Sequence, residues 1–315
     1  MPSPRLVVES WDPSYGAPLA PDEALAPSEG QVDCDAEPGP WEPRPGEDDG
    51  VAQVCFVDGV RRIDARLAIP RADGMPIPGI AGSHAVGAVV WDRLGRRSEV
   101  DHIRTRRLAV FSSGAEAEVP GEPPVSFDVE SEPSDDPDRL VARFHGSMRR
   151  AEAELIAELA DHGAFVIGDG PVNDTRRREV VGYVKTHRVA YLPPERAGIV
   201  GQLAPGLRTP LFVLGAGGTF ARWSWYQRLP LPEVRHAWSG VVRCEAPGSL
   251  PLVDAARLAD RTAALLPLVA APVHTDPRAP QNLVPIGALE RRLRHALGDQ
   301  RLVYRALLHA VEGAA

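Results

Sequence analysis

Lysine is nearly absent from this chain of 315 residues: Lys185 stands alone among 35 basic residues. In a chain this biased to arginine, the one retained lysine marks a position to follow. Cysteine is also scarce. Cys34, Cys55 and Cys244 are far apart and form no CxxC pair, so neither a structural zinc site nor a disulfide framework is expected. Cys55 falls inside an apolar run and reads as a small core residue. No stretch of 18 apolar residues occurs, so no membrane span is expected. The N-terminus lacks a charged segment followed by an apolar one. A secretory signal is therefore not expected, and a cytoplasmic location follows by default.

What is present is ordinary for a globular protein: 43% apolar and 25% charged residues, enough chain for one large domain or two small ones. The net charge of −8 is unevenly spread. Residues 1–50 carry 12 acids against 2 arginines, a balance of −10, while the remaining 265 residues carry 33 bases and 31 acids, a balance of +2. The body is thus near neutral and arginine-rich, which leaves nucleic acid open as a partner.

Residues 1–50 contain ten prolines and almost no periodicity, the pattern of a largely extended, flexible, acidic arm. Val7, Val8 and Trp11 could dock a short piece of it on the body. An arm covering a basic DNA groove is the sharper alternative to a solvated tail. Residues 51–315 form the folded domain.

From residue 51 the pattern is strand-like. Residues 51–57 and 62–70 read as two strands, with Asp58-Gly59 in the turn between them. Residues 80–92 read as a third strand and 108–112 as a fourth, together an antiparallel meander. Residues 114–138 are acidic and proline-rich and read as a loop or lid. A helix follows over roughly 138–162. On a wheel of about 100° per residue, Phe144, Met148, Ala151, Leu155 and Leu159 form one stripe, and Glu152 falls inside it. Glu154 points the other way and Glu158 lies at the flank. A carboxylate on an apolar stripe is costly unless it is paired or binds a metal.

Residues 164–167 then form a short strand ending in Asp169-Gly170, a second apolar strand capped by Asp-Gly. Residues 181–191 read as a strand carrying Lys185 and His187, and 193–204 as a short helix. Residues 209–214, 223–229 and 237–243 read as strands. Helices are expected over 252–266, 285–297 and 301–311, the middle one opening on proline and stopping at Gly298.

Three carboxylates stand out by placement: Asp58, Glu152 and Asp169. Hard oxygen ligands of this kind suit Mg²⁺ or Mn²⁺, and a pair of such ions can clamp the attacking and leaving oxygens of a phosphodiester. Each acid also has a plain reading: Asp-Gly is first of all a turn dipeptide, and Glu152 could pair with Arg149 or Arg150. The order is three strands, a helix and a further strand, with acids on the first strand, the helix and the later strand. That is the order of the ribonuclease H-like α/β fold, a mixed central sheet flanked by helices.

The segments FVDGVRR (56–62), MRRAE (148–152), GDGP (168–171), VVGYVK (180–185) and WYQRLP (225–230) together resemble the NurA nuclease family, over roughly residues 50–300. The resemblance implies a metal-dependent deoxyribonuclease in DNA end processing or repair. It implies Asp58, Glu152 and Asp169 as Mn²⁺ or Mg²⁺ ligands and Lys185 near the scissile phosphate or DNA backbone. Arg61 and Arg62 become DNA contacts, with solvated arginines the plain alternative. The resemblance also implies a homodimer and a HerA-like hexameric ATPase as partner. One departure is plain. The family closes its site with a histidine in a Pro–x–x–Leu–x–x–Ala–His context, whereas this chain reads Pro280-Gln281-Asn282-Leu283-Val284-Pro285-Ile286-Gly287. His274, Asp276 or Asn282 could substitute, and Asn282 is the expected choice.

Two rival readings stay open. A catalytically weak or inactive relative would keep the fold as a DNA-binding or ATPase-docking subunit. An actin-like phosphotransferase would also use Asp-Gly turns, but no second phosphate loop is present. Residues 214–220 (LGAGGTF) lack the signatures of a Walker or dinucleotide loop and read as a glycine-rich turn. Trp223, Trp225 and Tyr226 could stack on unpaired bases, with core or dimer packing the expected role.

Overall fold

The computed structural model describes residues 32–70, 74–119, 125–172, 178–187, 189–218 and 221–314. In chain order the strands and helices are β1 (Arg44–Pro45), β2 (Gln53–Ile69), β3 (Ile77–Asp92), β4 (Arg97–Phe111), β5 (Asp128–Ser131), α1 (Pro137–Asp161), β6 (Phe165–Asp169), β7 (Val180–Val184), α2 (Pro194–Ala197), β8 (Leu207–Arg208), β9 (Phe212–Leu214), β10 (Arg222–Arg228), β11 (Val241–Pro247), α3 (Leu252–Val269), α4 (Val284–Ala296) and α5 (Gln300–Ala314). A 3₁₀ turn over Gly198–Gln202 follows α2.

One mixed sheet runs through the molecule in the order β1-β8-β10-β11-β7-β6-β2-β3-β4-β5, with β9 paired to β10. Strands β2, β3 and β4 are an antiparallel meander, while β6 lies parallel to β2 and β7 parallel to β6. Period-two alternation assigns the two faces of the sheet. Cys55, Val57 and Val166 pack on α1 through Met148, Leu155 and Leu159. Val54, Phe56, Phe165 and Ile167 pack on the other side with Leu258, Leu265 and Leu266 of α3. Val60 and Val89 meet Leu289 and Leu293 of α4, and Phe111 meets Val303 and Leu307 of α5. Helix α1 begins where the Asp136 side chain accepts from the backbone N–H of Asp138. It ends before Gly163, whose φ of 84° reverses the chain into β6.

Several expectations change. Residues 51–57 and 62–70 are not two strands joined by a turn. They form the continuous 17-residue β2, with Asp58-Gly59 in its middle. Second, β4 begins at Arg97, well before residue 108, and continues the meander to full length. Third, the expected loop over 114–138 contains β5, which adds to β4 in parallel. Fourth, the strand carrying Lys185 and His187 stops at Val184, so both residues lie just past its end. The short helix expected over 193–204 is a single helical turn followed by the 3₁₀ turn.

Residues 32–50 are extended, and they are built into the body. β1 pairs with β8, and Cys34 is buried. Glu37 takes both terminal nitrogens of Arg208, at 2.9 and 3.0 Å. Asp48 pairs with Arg93 and Asp49 with Arg261. Four acids of this segment, Asp35, Glu37, Asp48 and Asp49, are paired with arginines of the domain they cover. The proposed docking of Val7, Val8 and Trp11 lies outside the described residues. All three cysteines are free and buried, and among the described residues no helix is long and apolar enough to cross a membrane.

Candidate functional site

Asp58 and Asp169 are neighbours because of strand register. Val57 pairs with Gly168 in the parallel β2–β6 ladder, so the next residues, Asp58 and Asp169, stand abreast on adjacent strands. Strand neighbours are roughly 4.8 Å apart. Both share the parity of Phe56 and Ile167, which faces α3 and α4. Asp169 ends β6, and Gly170, with φ of 109°, turns the chain away from it.

Glu152 comes from the opposite face. It is carried by the inward side of α1, while Glu154 is exposed and Glu158 pairs with Arg104 at the flank. Glu152 reaches the sheet at Gly59. A Cβ there would collide with its Oε1 and lie 3.1 Å from Cγ of Met148. Gly59 is outside the left-handed region. Its lack of a side chain therefore serves close approach rather than a turn, which is why Asp58-Gly59 misleads as a dipeptide.

Lys185 follows β7 and is buried on the Asp58–Asp169 side. Its Nζ donates to Asp169 Oδ2 at 2.5 Å and to Asn282 Oδ1 at 3.1 Å. The Asn282 amide is oriented from behind, its Nδ2 donating to Asp276 Oδ2 at 2.7 Å. Asp276 is held by Arg278, which forks onto both oxygens of Glu290 at 2.8 and 2.7 Å. The Tyr183 hydroxyl donates to the Gln281 carbonyl at 2.7 Å and fixes the segment carrying Asn282. The position expected for a closing histidine is Gly287. A side chain starting there would point at Asn282 Nδ2, 3.1 Å away, and Asp276 Oδ2, 3.5 Å away. That space is taken by the Asn282–Asp276 pair, whereas His274 is exposed.

Electrostatically the centre is unbalanced. Burial is the main cause that pushes the Asp58 carboxyl well above its ordinary range. Asp169 adds to the effect, Lys185 opposes it, and Glu152 and Glu290 add further. Glu152 is half-buried by surface but enclosed by protein atoms. Burial first, then Asp169, pushes it up to about 8 against the opposing Arg149 and Arg61.

Among the described residues no three His, Cys, Asp or Glu side chains converge as a ready metal cluster. Lys185 occupies one oxygen of Asp169, and Glu152 approaches from the opposite face of the sheet. The donor chemistry nevertheless fits a hard divalent cation. Asp58 is buried and Glu152 half-buried, and both are pushed toward their protonated forms, so a cation beside them would relieve the cost of their charge.

The other predicted contacts divide. Arg61 is half-buried beside Glu152, and burial weakens its hold on the proton. Arg62 is committed elsewhere: it donates to Asp64 at 2.6 Å and to the Gly298 and Leu297 carbonyls at 2.8 and 3.3 Å, tying β2 to the end of α4. Trp225 and Tyr226 are fully buried core residues, and Trp223 donates its indole N–H to the Leu250 carbonyl. Arg278 and Glu290 were not anticipated. Glu290 lies on the Ile286–Leu289–Leu293 stripe of α4, so the wheel argument that selected Glu152 would have selected it.

No protein-family model matches this chain, and no curated protein matches it. Among solved structures, the catalytic domain of human Endonuclease V is similar over 79% of this chain and 83% of its own, at 15% identity and a TM-score of 0.33. Likeness at that level carries no inference about activity.

Proposed function

We propose that this protein is a metal-dependent DNA nuclease of the NurA type, built on a ribonuclease H-like sheet. The observation that carries the reading is Asp58 and Asp169 abreast on β2 and β6, with Glu152 brought to β2 through the gap at Gly59. The strand order β4-β3-β2-β6-β7, with α1 between β5 and β6, supports the fold assignment. Asp58, Glu152 and Asp169 are the residues that would hold Mn²⁺ or Mg²⁺. Such an ion supplies Lewis-acid charge at a phosphate oxygen and makes a nearby water more acidic.

The chain's own groups do the rest. Lys185 presents a fixed ammonium to the negative charge of the DNA backbone. Asn282 and Asp276 keep that ammonium in place. Arg61 and Arg149, beside Glu152, contribute positive charge on the α1 side of the sheet. Action as a homodimer in DNA end processing, beside a HerA-like hexameric ATPase, belongs to the same proposal. Purified protein is expected to degrade single- or double-stranded DNA with Mn²⁺, alone or with its ATPase. A protein inert under all these conditions would sink the enzymatic reading.

A second reading draws on the Lys185–Asp169 ion pair and the missing closing histidine: a subunit that keeps the fold and binds DNA or the ATPase without cutting. Calorimetry discriminates. Manganese binding by the wild type that Asp58→Asn abolishes supports the live site, and equal titrations support the silent one.

A further inference from the structure

Asp58 and Asp169 are mounted differently. Asp58 lies within a strand that is paired on both sides, whereas Asp169 is the last residue of β6, one place beyond the end of the ladder to β2. A working site needs its groups held to within about half an ångström. A carboxylate at a strand end therefore needs a second fastening, and the turn that follows Asp169 has one.

Gly168, Gly182 and Glu245 stand abreast on β6, β7 and β11. They share the face of the sheet that carries α1, whose Ile156 packs directly on Gly168. The turn Gly170-Pro171-Val172 folds back across Gly182. A Cβ there would lie 2.5 Å from the Val172 nitrogen, 2.8 Å from the Gly170 oxygen and 2.9 Å from the Pro171 carbonyl carbon. These are backbone atoms and cannot swing aside, so only glycine lets the turn close. The Gly170 N–H donates to the Tyr183 carbonyl at 2.8 Å. The crossing then delivers the Val172 N–H to Glu245, whose Oε2 accepts it at 3.2 Å.

Glu245 is fully buried. Arg222 donates to its Oε2 at 3.2 Å, and Arg243 donates twice to its Oε1, at 3.0 and 2.8 Å. The Arg243 guanidinium in turn lies 4.5 Å from the centre of the Tyr191 ring. Burying a carboxylate with two arginines is a costly way to satisfy one amide. It is a good way to fix that amide in place, because the carboxylate cannot turn without unpairing its arginines.

We propose that Glu245 is a positioning residue: through Val172 it latches the turn after Asp169 and so fixes where the Asp169 carboxylate stands against Asp58. Gly182 is the seat on which the turn closes. The purpose of this latch rests on the metal reading of the carboxylates, whereas its closure does not.

Gly182→Ala tests it, since the added methyl lifts the turn and leaves Glu245 with both arginines. Two quantities are measured on folded protein: amide hydrogen exchange at Asp169, Gly170 and Val172 without metal, and Mn²⁺ affinity by calorimetry. The wild type is expected to protect the Gly170 and Val172 amides. Gly182→Ala should expose Val172 and bind Mn²⁺ about tenfold more weakly, the low end of the cost of losing a partner behind a metal ligand. Glu37→Gln, which loosens the protein at the β1–β8 edge instead, should change neither quantity. Should Gly182→Ala fold poorly, Glu245→Gln opens the same latch from its other side. A variant with a freed Val172 amide and wild-type Mn²⁺ affinity would overturn the proposal, as would a wild type whose Val172 amide exchanges freely. A wild type that takes up no Mn²⁺, with exchange at Asp169 and Gly170 rising alongside Val172 in the variant, would remove the metal reading and keep the latch.

Discussion

Glu37 and Asp58 are buried to almost the same depth, 8% and 7% exposed, and their environments push them in opposite directions. Glu37 is held low: burial alone would raise its carboxyl, but Arg208, the Leu211 N–H and Arg44 more than offset it. Asp58 is driven high, because burial and Asp169 outweigh Lys185. The Arg-rich body neutralises its other acids with care: Glu245 takes Arg222 and Arg243, and Asp49 and Glu179 share Arg261. The charge left open is concentrated around Asp58 and Glu152. Among the described residues the other buried acids are paired with arginines, and the group around Asp58 is the one short of positive charge, as the proposed cation site requires.

The contrast breaks most sharply with isosteric amides. On the proposed nuclease reading, Asp58→Asn is expected to lower DNA cleavage on the order of 10³-fold, since it would remove a proposed ligand worth several kcal/mol of charge stabilisation in the transition state. Its metal-free melting temperature should be unchanged or higher. Glu37→Gln is expected to do the opposite: it removes one of the two carboxylates on the buried Arg208, which keeps Asp260, costs about 1–3 kcal/mol in chemical denaturation, and leaves the candidate site unchanged once folded. Equal stability losses in the two variants would remove the distinction.

Next in size is the pH dependence of metal stabilisation. Glu152 titrates at about 8 when folded and near 4.5 when unfolded. Its folded value is raised, so its contribution is fully present below about pH 4.5 and is lost as pH rises toward 8. Asp58 acts in the same direction. Metal-free protein should therefore lose stability across that window. At 100-fold excess over its dissociation constant, Mn²⁺ adds about 2.7 kcal/mol, a rise of several degrees in a chain of this size. That rise should be larger at pH 8 than at pH 5.5, where protons compete for the carboxylates. Thermal scans with and without Mn²⁺ at the two values check this, and a pH-independent shift would contradict it.

Gly59→Ala tests the crossing point directly. The added methyl meets the Glu152 carboxylate, so overpacking should cost about 1–3 kcal/mol and manganese affinity should fall with it. Loss of stability with metal binding intact would separate Glu152 from the donor set. The smallest effect is expected from Asp276→Asn, which frees the Asn282 amide to turn over. A few-fold drop in turnover with little change in melting temperature is the expected outcome, and restoration by Asp276→Glu would mark a positioning role.

Much of this site can be read from the chain, and the exceptions are instructive. Glu152 is visible because a helical wheel needs only local periodicity. Asp169 is visible because its glycine does turn the chain. The environment of Asp58 is hidden, because glycine reads as conformational freedom when its use here is small size against a helix some ninety residues away in sequence. β5 escapes notice as four residues in an acidic, proline-rich stretch, paired only through β4. The integration of residues 32–50 depends on partners such as Arg208, 171 residues from Glu37, which no local pattern encodes. Lys185, Asp169 and Asn282 meet in space, yet their contact runs through tertiary geometry that spacing alone does not give.

The unbroken β2 has one further consequence, for the order in which the protein comes apart. Asp58 lies in the interior of the sheet, laddered to Gly87 of β3 on one side and beside Asp169 of β6 on the other. Amides in such a place exchange with solvent only when the whole domain opens, unlike those of loops and chain ends. The carboxylate at the centre of the site is thus mounted on the last element to yield.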